Sequence, residues 1–221
     1  MKKGLLFFIG GLLFVTALYL IGSVVMYQHL VNEGTVLADN QCLKVNPVII
    51  ERKDAYLKSM QALKDNNGDA YVKETENYLT ASRKYVSEQT NWLDIQKKYM
   101  NRWDFKYFIP SYMKEAAQYQ YNSRKADTES TTFLVEAFEI APLNVSISEE
   151  LSDKSMKKVK ERNEAEKNYD ELWNNPGKLD WRTRFIKVPE SKCPDENFNF
   201  PDVDEFLNPS TEPASSDVPI T

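Results

Sequence analysis

A run of twenty-nine residues, Gly4 to Asn32, contains no Asp, Glu, Lys or Arg, and its first twenty-three, Gly4–Met26, are almost unbroken apolar. As a helix rising ~1.5 Å per residue, Gly4–Met26 reaches about 35 Å, enough to cross a bilayer's hydrocarbon core with some tilt. Lys2 and Lys3 precede the run, Glu33 and Asp39 follow it, and Lys44 is the first cation beyond. Since the cytoplasmic flank carries the excess of Lys and Arg, the sequence predicts a cytoplasmic stub at 1–3. A signal-anchor helix over 4–27 follows, and the remainder lies on the far side, periplasmic in a Gram-negative cell. A cleaved signal peptide has a shorter apolar region with a small-x-small site close behind it. Here Val36-Leu37-Ala38 ends twelve residues past Met26, so the anchor is expected to stay. Gly10, Gly11 and Gly22 form no G-x-x-x-G pair, and the helix carries no dimerisation signal.

That topology gives the cysteines a role. Cys42 and Cys193, the two in the chain, both fall in the exported part. An oxidising compartment favours their pairing, which closes a loop worth up to about 5 kcal/mol in the chain-entropy model. On this reading 28–47 is a juxtamembrane linker, and the bond fixes the end of the folded region beside the membrane.

From Val48 to Tyr107 large residues recur at sevens. Tyr71, Tyr78, Tyr85, Trp92 and Tyr99 make one row, with Val72, Leu79, Val86, Leu93 and Met100 beside it. Thr75, Ser82, Gln89, Gln96 and Trp103 occupy the position four residues on. Five heptads free of Gly and Pro predict a long helix with left-handed coiled-coil character. Rings facing small or polar residues suit packing within one chain better than a parallel dimer, which prefers branched aliphatics. The sequence therefore predicts an all-α, antiparallel helical bundle over 48–193, with the exported domain monomeric.

Local signals divide that bundle. Asp65-Asn66-Asn67-Gly68-Asp69 predicts a turn between a first helix (48–64) and the long second one, with Gly68 supplying a left-handed cap. Pro110 stops the second helix, Ser111 caps a third, and Thr128–Thr132 weakens it, so that Thr131–Phe138 suits an extended piece. Ser146 with Glu149 reads as a capping box opening a fourth helix that ends before Pro176-Gly177. Trp181–Val188 reads as a short strand or a strap. From Pro194 the chain is rich in proline and acids, and 194–221 is expected to be largely disordered.

Candidate sites are few. The 65–69 turn partly matches a calcium loop, but Leu63 replaces the first carboxylate, and no metal site is assigned. Trp103, Phe105, Tyr107, Phe108 and Tyr112 put five rings in ten residues, which either close the bundle or bind a partner. Phe198, Phe200 and Phe206, spaced by acids and prolines, form an acidic-apolar stretch able to dock in a groove or lie on the bundle. Lys157, Lys158, Lys160 and Arg162 read as a solvated face, and the acid pairs near them as routine helix ion pairs.

The remaining composition narrows function. A net charge of −5 argues against nucleic acid, and seven glycines with no phosphate-loop pattern argue against nucleotide folds. One histidine, His29, leaves no Ser/His/Asp or H-E-x-x-H set, so no catalytic residue and no cofactor are assigned. The expectation is a non-enzymatic envelope scaffold or accessory protein, its partners the bilayer and another envelope protein. A small-ligand- or ion-binding bundle is the alternative, and an apolar cavity between the helices would favour it.

Overall fold

The computed structural model describes residues 2–174 and 180–193, and among them all regular structure is helical. Helix α1 runs unbroken over Lys2–Lys64. It is followed by α2 (Gly68–Met100), a short α3 (Trp103–Phe108), α4 (Ser111–Ile140), α5 (Val145–Trp173) and a 3₁₀ turn at Trp181–Phe185. The first correction to the sequence expectation is the stretch 28–47, which is helix rather than linker. Pro47 lies within it with its ring exposed, where a missing amide costs one bond to the Leu43 carbonyl but meets no packed neighbour.

Residues 10–22 of α1 are all exposed, and Ser23 is the first buried position. Among the described residues one helix, α1, is long and apolar enough near the N-terminus to span a membrane. Within its apolar stretch the Thr16 and Ser23 hydroxyls donate to the Leu12 and Leu20 carbonyls, so each is satisfied inside the helix. Beyond Ser23 the buried face takes over: Tyr27, Leu30, Gln41, Val45, Val48, Ala55, Ser59 and Ala62.

Helix pairs are fixed by their contacts. Leu30 meets Tyr99, Gln41 meets Gln89, Glu51 meets Lys84 and Tyr56 meets Tyr78, so α1 and α2 are antiparallel. Tyr85 with Asp127 and Arg83 with Glu139 set α4 antiparallel to α2; Asp127 with Arg162 and Ala137 with Ser148 set α5 antiparallel to α4. Tyr27–Tyr112 and Gln41–Arg124 bring α1 and α4 together in parallel.

In α2 the row Tyr78, Tyr85, Trp92 is buried, and so are Ser82 and Gln89 four residues on. The aliphatic row beside it is less enclosed, Val72 being exposed and Leu79 and Val86 half-buried, with only Leu93 inside. Large rings over small side chains fill the groove between helices that approach closely. Ser82, fully enclosed, marks the tightest place.

The turns differ from expectation in which residue carries the chemistry. Asn66, not Gly68, takes the left-handed conformation at φ 54°. The Asn67 amide bonds the Ala62 carbonyl (2.9 Å) and the Asn66 amide the Leu63 carbonyl (3.1 Å), the paired bonds of a Schellman cap. Asn67 then caps α2 through its side chain, accepting from Ala70 N at 3.1 Å. The second helix stops at Met100, ten residues before Pro110, because α3 intervenes. Pro110 rather than Ser111 holds the cap position of α4. Asn144, not Ser146, caps α5. Thr131–Phe138 is helical: the Thr128, Thr131 and Thr132 hydroxyls donate back to carbonyls one turn earlier, which removes the competition they offered to helix.

Residues 186–193 form a strap along α1. Lys187 pairs with Gln28 through two hydrogen bonds, and Ser191 and Lys192 both donate to Asp39. Cys193 is disulfide-bonded to Cys42 with Cα atoms 5.7 Å apart. Between Gln28 and Cys42 the helix advances about 21 Å, and an extended chain from Lys187 to Cys193 advances about 20 Å, so the two stay in step. Cys42 lies nineteen residues, roughly 28 Å, beyond Ser23, well away from the end of the apolar stretch. Pro176-Gly177 and the 194–221 segment, with Phe198, Phe200 and Phe206, lie outside the described residues.

Candidate functional site

At the end of the bundle where α1 emerges, Tyr27 and Leu30 pack against Phe105 and Ile109, with Phe108, Met113 and Ile186 around them. Tyr112, Ala116 and Leu172 form the adjoining cluster of α4 and α5. The five rings of 103–112 divide here. Phe105 and Tyr112 are buried and close the core; Phe108 is half-buried; Trp103 and Tyr107 are exposed, at 64% and 79%. Trp181 and Phe185 of the 3₁₀ turn are exposed at the same end, their ring centroids 6.0 Å apart. The rings of 103–112 stand out as a cluster in the sequence itself, whereas the place of Trp181 and Phe185 depends on the strap.

Three ion pairs, made by two arginines, hold this end together. Arg102 bridges Glu33 of α1 (2.8 Å) and Asp104 (2.5 Å), and Asp104 also accepts from the Phe105 amide. The Arg102 guanidinium holds the Asp104 carboxyl below the usual carboxylate range. Arg182 does the same for Asp180 (2.8 Å), donates to the Phe108 carbonyl at 2.8 Å, and lies over the Tyr27 ring, 5.4 Å from its centroid. One arginine thus ties the turn to both α1 and α3.

Midway along the bundle lies a polar layer that the heptad pattern does not announce. The Tyr85 hydroxyl donates to Asp127, whose other oxygen accepts from Arg162 at 3.0 Å. Burial pushes the Tyr85 hydroxyl far up, with the Asp127 charge adding to it. Arg124 donates to Gln41, and Gln41 to Gln89. Arg52 reaches the Tyr78 hydroxyl at 3.3 Å and sits over the Tyr78 and Tyr85 rings. Desolvation depresses Arg124, the cation facing a neutral amide. Arg162 and Lys158, which the sequence places on a solvated face, turn inward to Asp127 and Glu129 of α4. The signal in the sequence was Gln89 in the small row; its partners could not be located without the helix pairing.

At the far end the α4–α5 connection exposes Phe138, Leu143, Val145 and Ile147, Leu143 at 81%. An open cleft of about 340 Å³ lies between α4 and α5, bordered by Lys125, Glu129, Lys158 and Glu161. Among the described residues no three His, Cys, Asp or Glu side chains gather as a metal would require. No protein-family model, curated protein or solved structure matches the chain.

Proposed function

We propose that the protein is a single-span membrane scaffold whose bundle stands on the extracytoplasmic side and presents its far end to another envelope protein. The observation that carries this reading is the continuity of α1, which passes from an exposed apolar stretch into the buried core without a break. Such a helix transmits position rigidly, as a scaffold requires and a tethering linker does not. Lys2 and Lys3 before the apolar stretch favour a cytoplasmic N-terminus. The Cys42–Cys193 bond favours an oxidising compartment for the bundle. The exposed aliphatic patch Leu143, Val145 and Ile147 is the proposed partner face, with Phe138 beside it.

Two measurements test the proposal. Protease added to the extracytoplasmic side of native membranes should degrade the bundle and leave an N-terminal fragment; protection until lysis would reverse the orientation. A photo-crosslinker in place of Leu143 should give one discrete adduct that Val145→Asp abolishes while the helical signal is kept. A crosslinking pattern indifferent to Val145→Asp would remove the far end from the interface.

A further inference from the structure

Counted from Lys2 and Lys3, the hydrocarbon thickness of a bilayer is used up along α1 by the point where the bundle begins, although the apolar run itself continues to Met26. From Lys2 to Gly22 the helix has twenty-one residues, about 31 Å, against a hydrocarbon core of ~30 Å. With Lys2 and Lys3 at one boundary, the other falls at Gly22–Ser23, where burial by the bundle starts. No spacer separates the lipid from the protein body.

What the bundle exposes at that level is not a soluble protein's usual surface. Arg102 at the start of α3 pairs with Glu33, and Phe105 and Phe108 on either side of Tyr107 share one apolar cluster with Tyr27 and Met26, which sets this part of α3 at the level of Met26–Tyr27, about four residues above the boundary. Four helical residues are ~6 Å, within the headgroup zone, which adds about 5–7 Å on each face of the hydrocarbon. The Trp181–Phe185 turn reaches the same level, because Arg182 lies over Tyr27 and Ile186 packs in the same cluster. Tyr107, Trp181 and Phe185 are exposed there, and Lys106 and Arg184 are exposed in the same two segments. Exposed apolar residues scattered singly need no explanation. The amphipathic rings of Tyr107 and Trp181, with Phe185 and cations at one depth, match the composition of a membrane–water interface. The opposite end differs: its exposed patch is largely aliphatic, without Trp or Tyr.

We propose that the base of the bundle, Tyr107 of α3 and Trp181 and Phe185 of the 3₁₀ turn with Lys106 and Arg184, is a lipid-binding surface seated in the headgroup layer of the bilayer that α1 crosses. The rings lie between headgroups and the cations meet lipid phosphates. The bundle is then held upright by three contacts, α1, α3 and the turn, rather than pivoting on one helix. The strap has a part in this, because the Cys42 bond and the Gln28 and Asp39 contacts keep the turn at the right height on α1. The inference rests on the anchored reading of α1 and adds to it a second, non-spanning membrane contact.

Because both native cysteines are in the disulfide, a single added cysteine can carry a nitroxide. The full chain is reconstituted in phosphatidylcholine vesicles containing phosphatidylglycerol, with labels placed singly through Leu18→Cys, Tyr107→Cys, Phe185→Cys and Leu143→Cys. All four positions are exposed, so folding is expected to persist, and helical content checks it. Labels at 107 and 185 should be several-fold less accessible to a water-soluble nickel chelate than the label at 143, and less accessible to oxygen than the label at 18. If 107 and 185 match 143 while 18 stays in lipid, the base stands clear of the bilayer and the inference fails with the anchor intact. A label at 18 as nickel-accessible as that at 143 would overturn the anchor itself.

Discussion

Gln41 of α1 donates its side-chain amide to Gln89 Oε1 of α2 at 3.0 Å, and its own carbonyl oxygen accepts from Arg124 of α4. Three helices are joined by two glutamines, both buried, and one arginine. A polar chain in an apolar core fixes register, since sliding any helix by one turn strands its members. Gln89→Leu should therefore cost about 1–3 kcal/mol in urea unfolding, because the Gln41 amide is left buried and unmatched. Replacing all three members by apolar residues of similar size should recover most of that loss while broadening the amide spectrum. A triple variant less stable than Gln89→Leu would show that the layer contributes stability rather than register.

The aromatic row supplies a second test. Tyr85 and Trp92 are buried within the chain, so Tyr85→Ala or Trp92→Ala should cost about 3–5 kcal/mol as other core truncations do. Tyr85→Phe keeps the ring and loses the bond to Asp127, for about 1.5–3 kcal/mol. The bundle should sediment as a monomer throughout. A tight dimer that Trp92→Ala splits into folded monomers would transfer the row to an interface between chains.

How much of this was legible in the sequence follows from where the signals are local. The heptads of α2 and the apolar run of α1 are signals contained within single segments, so the all-helical class and a helix long and apolar enough to span a membrane could be read directly. The helical state of 28–47 could not. Its buried face (Leu30, Gln41, Val45) is diluted by polar residues, Pro47 on the exposed side of the same segment reads as a helix breaker, and packing against Tyr85, Gln89 and Tyr99 explains the helix. Trp181 and Phe185 escaped for the same reason: their place at the base is set by Arg182 and by a disulfide to a residue over a hundred positions away. Phe105 and Tyr112 were selected as aromatic but fold inward, since a ring cluster read in one dimension carries no inside or outside.

The disulfide makes a graded prediction. Peptide mapping without reduction should recover Cys42 and Cys193 in one cross-linked species. Cys193→Ser should cost about 2–5 kcal/mol by the loop-entropy estimate if unfolding is global. The strap keeps its Gln28 and Asp39 bonds, so hydrogen exchange should accelerate first at 187–193 and only later in α1. Uniform acceleration along α1 would mean that the bond supports the whole helix rather than the strap.

Acid should loosen the base before the rest. Asp104 and Asp180 are both held below the ordinary carboxylate range, chiefly by hydrogen bonds from Arg102 and Arg182. An unfolded Asp titrates near about 3.9. With the folded values lower, the unfolded chain binds more protons in the interval between, so stability rises with pH there. The contribution is complete above the unfolded value and disappears as pH falls through the folded ones. Exposed Glu150 and Glu161 are lowered likewise by Lys154 and Lys158, so some acid dependence persists without the two aspartates. Asp104→Asn with Asp180→Asn should thus lower stability at neutral pH and flatten, not abolish, the decline that sets in below about pH 4. Because both pairs tie α3 and the turn to α1, exchange at 103–109 and 181–186 should rise first on acidification of the unaltered protein. An acid limb unchanged in the double variant would assign the loss to carboxylates elsewhere in the bundle.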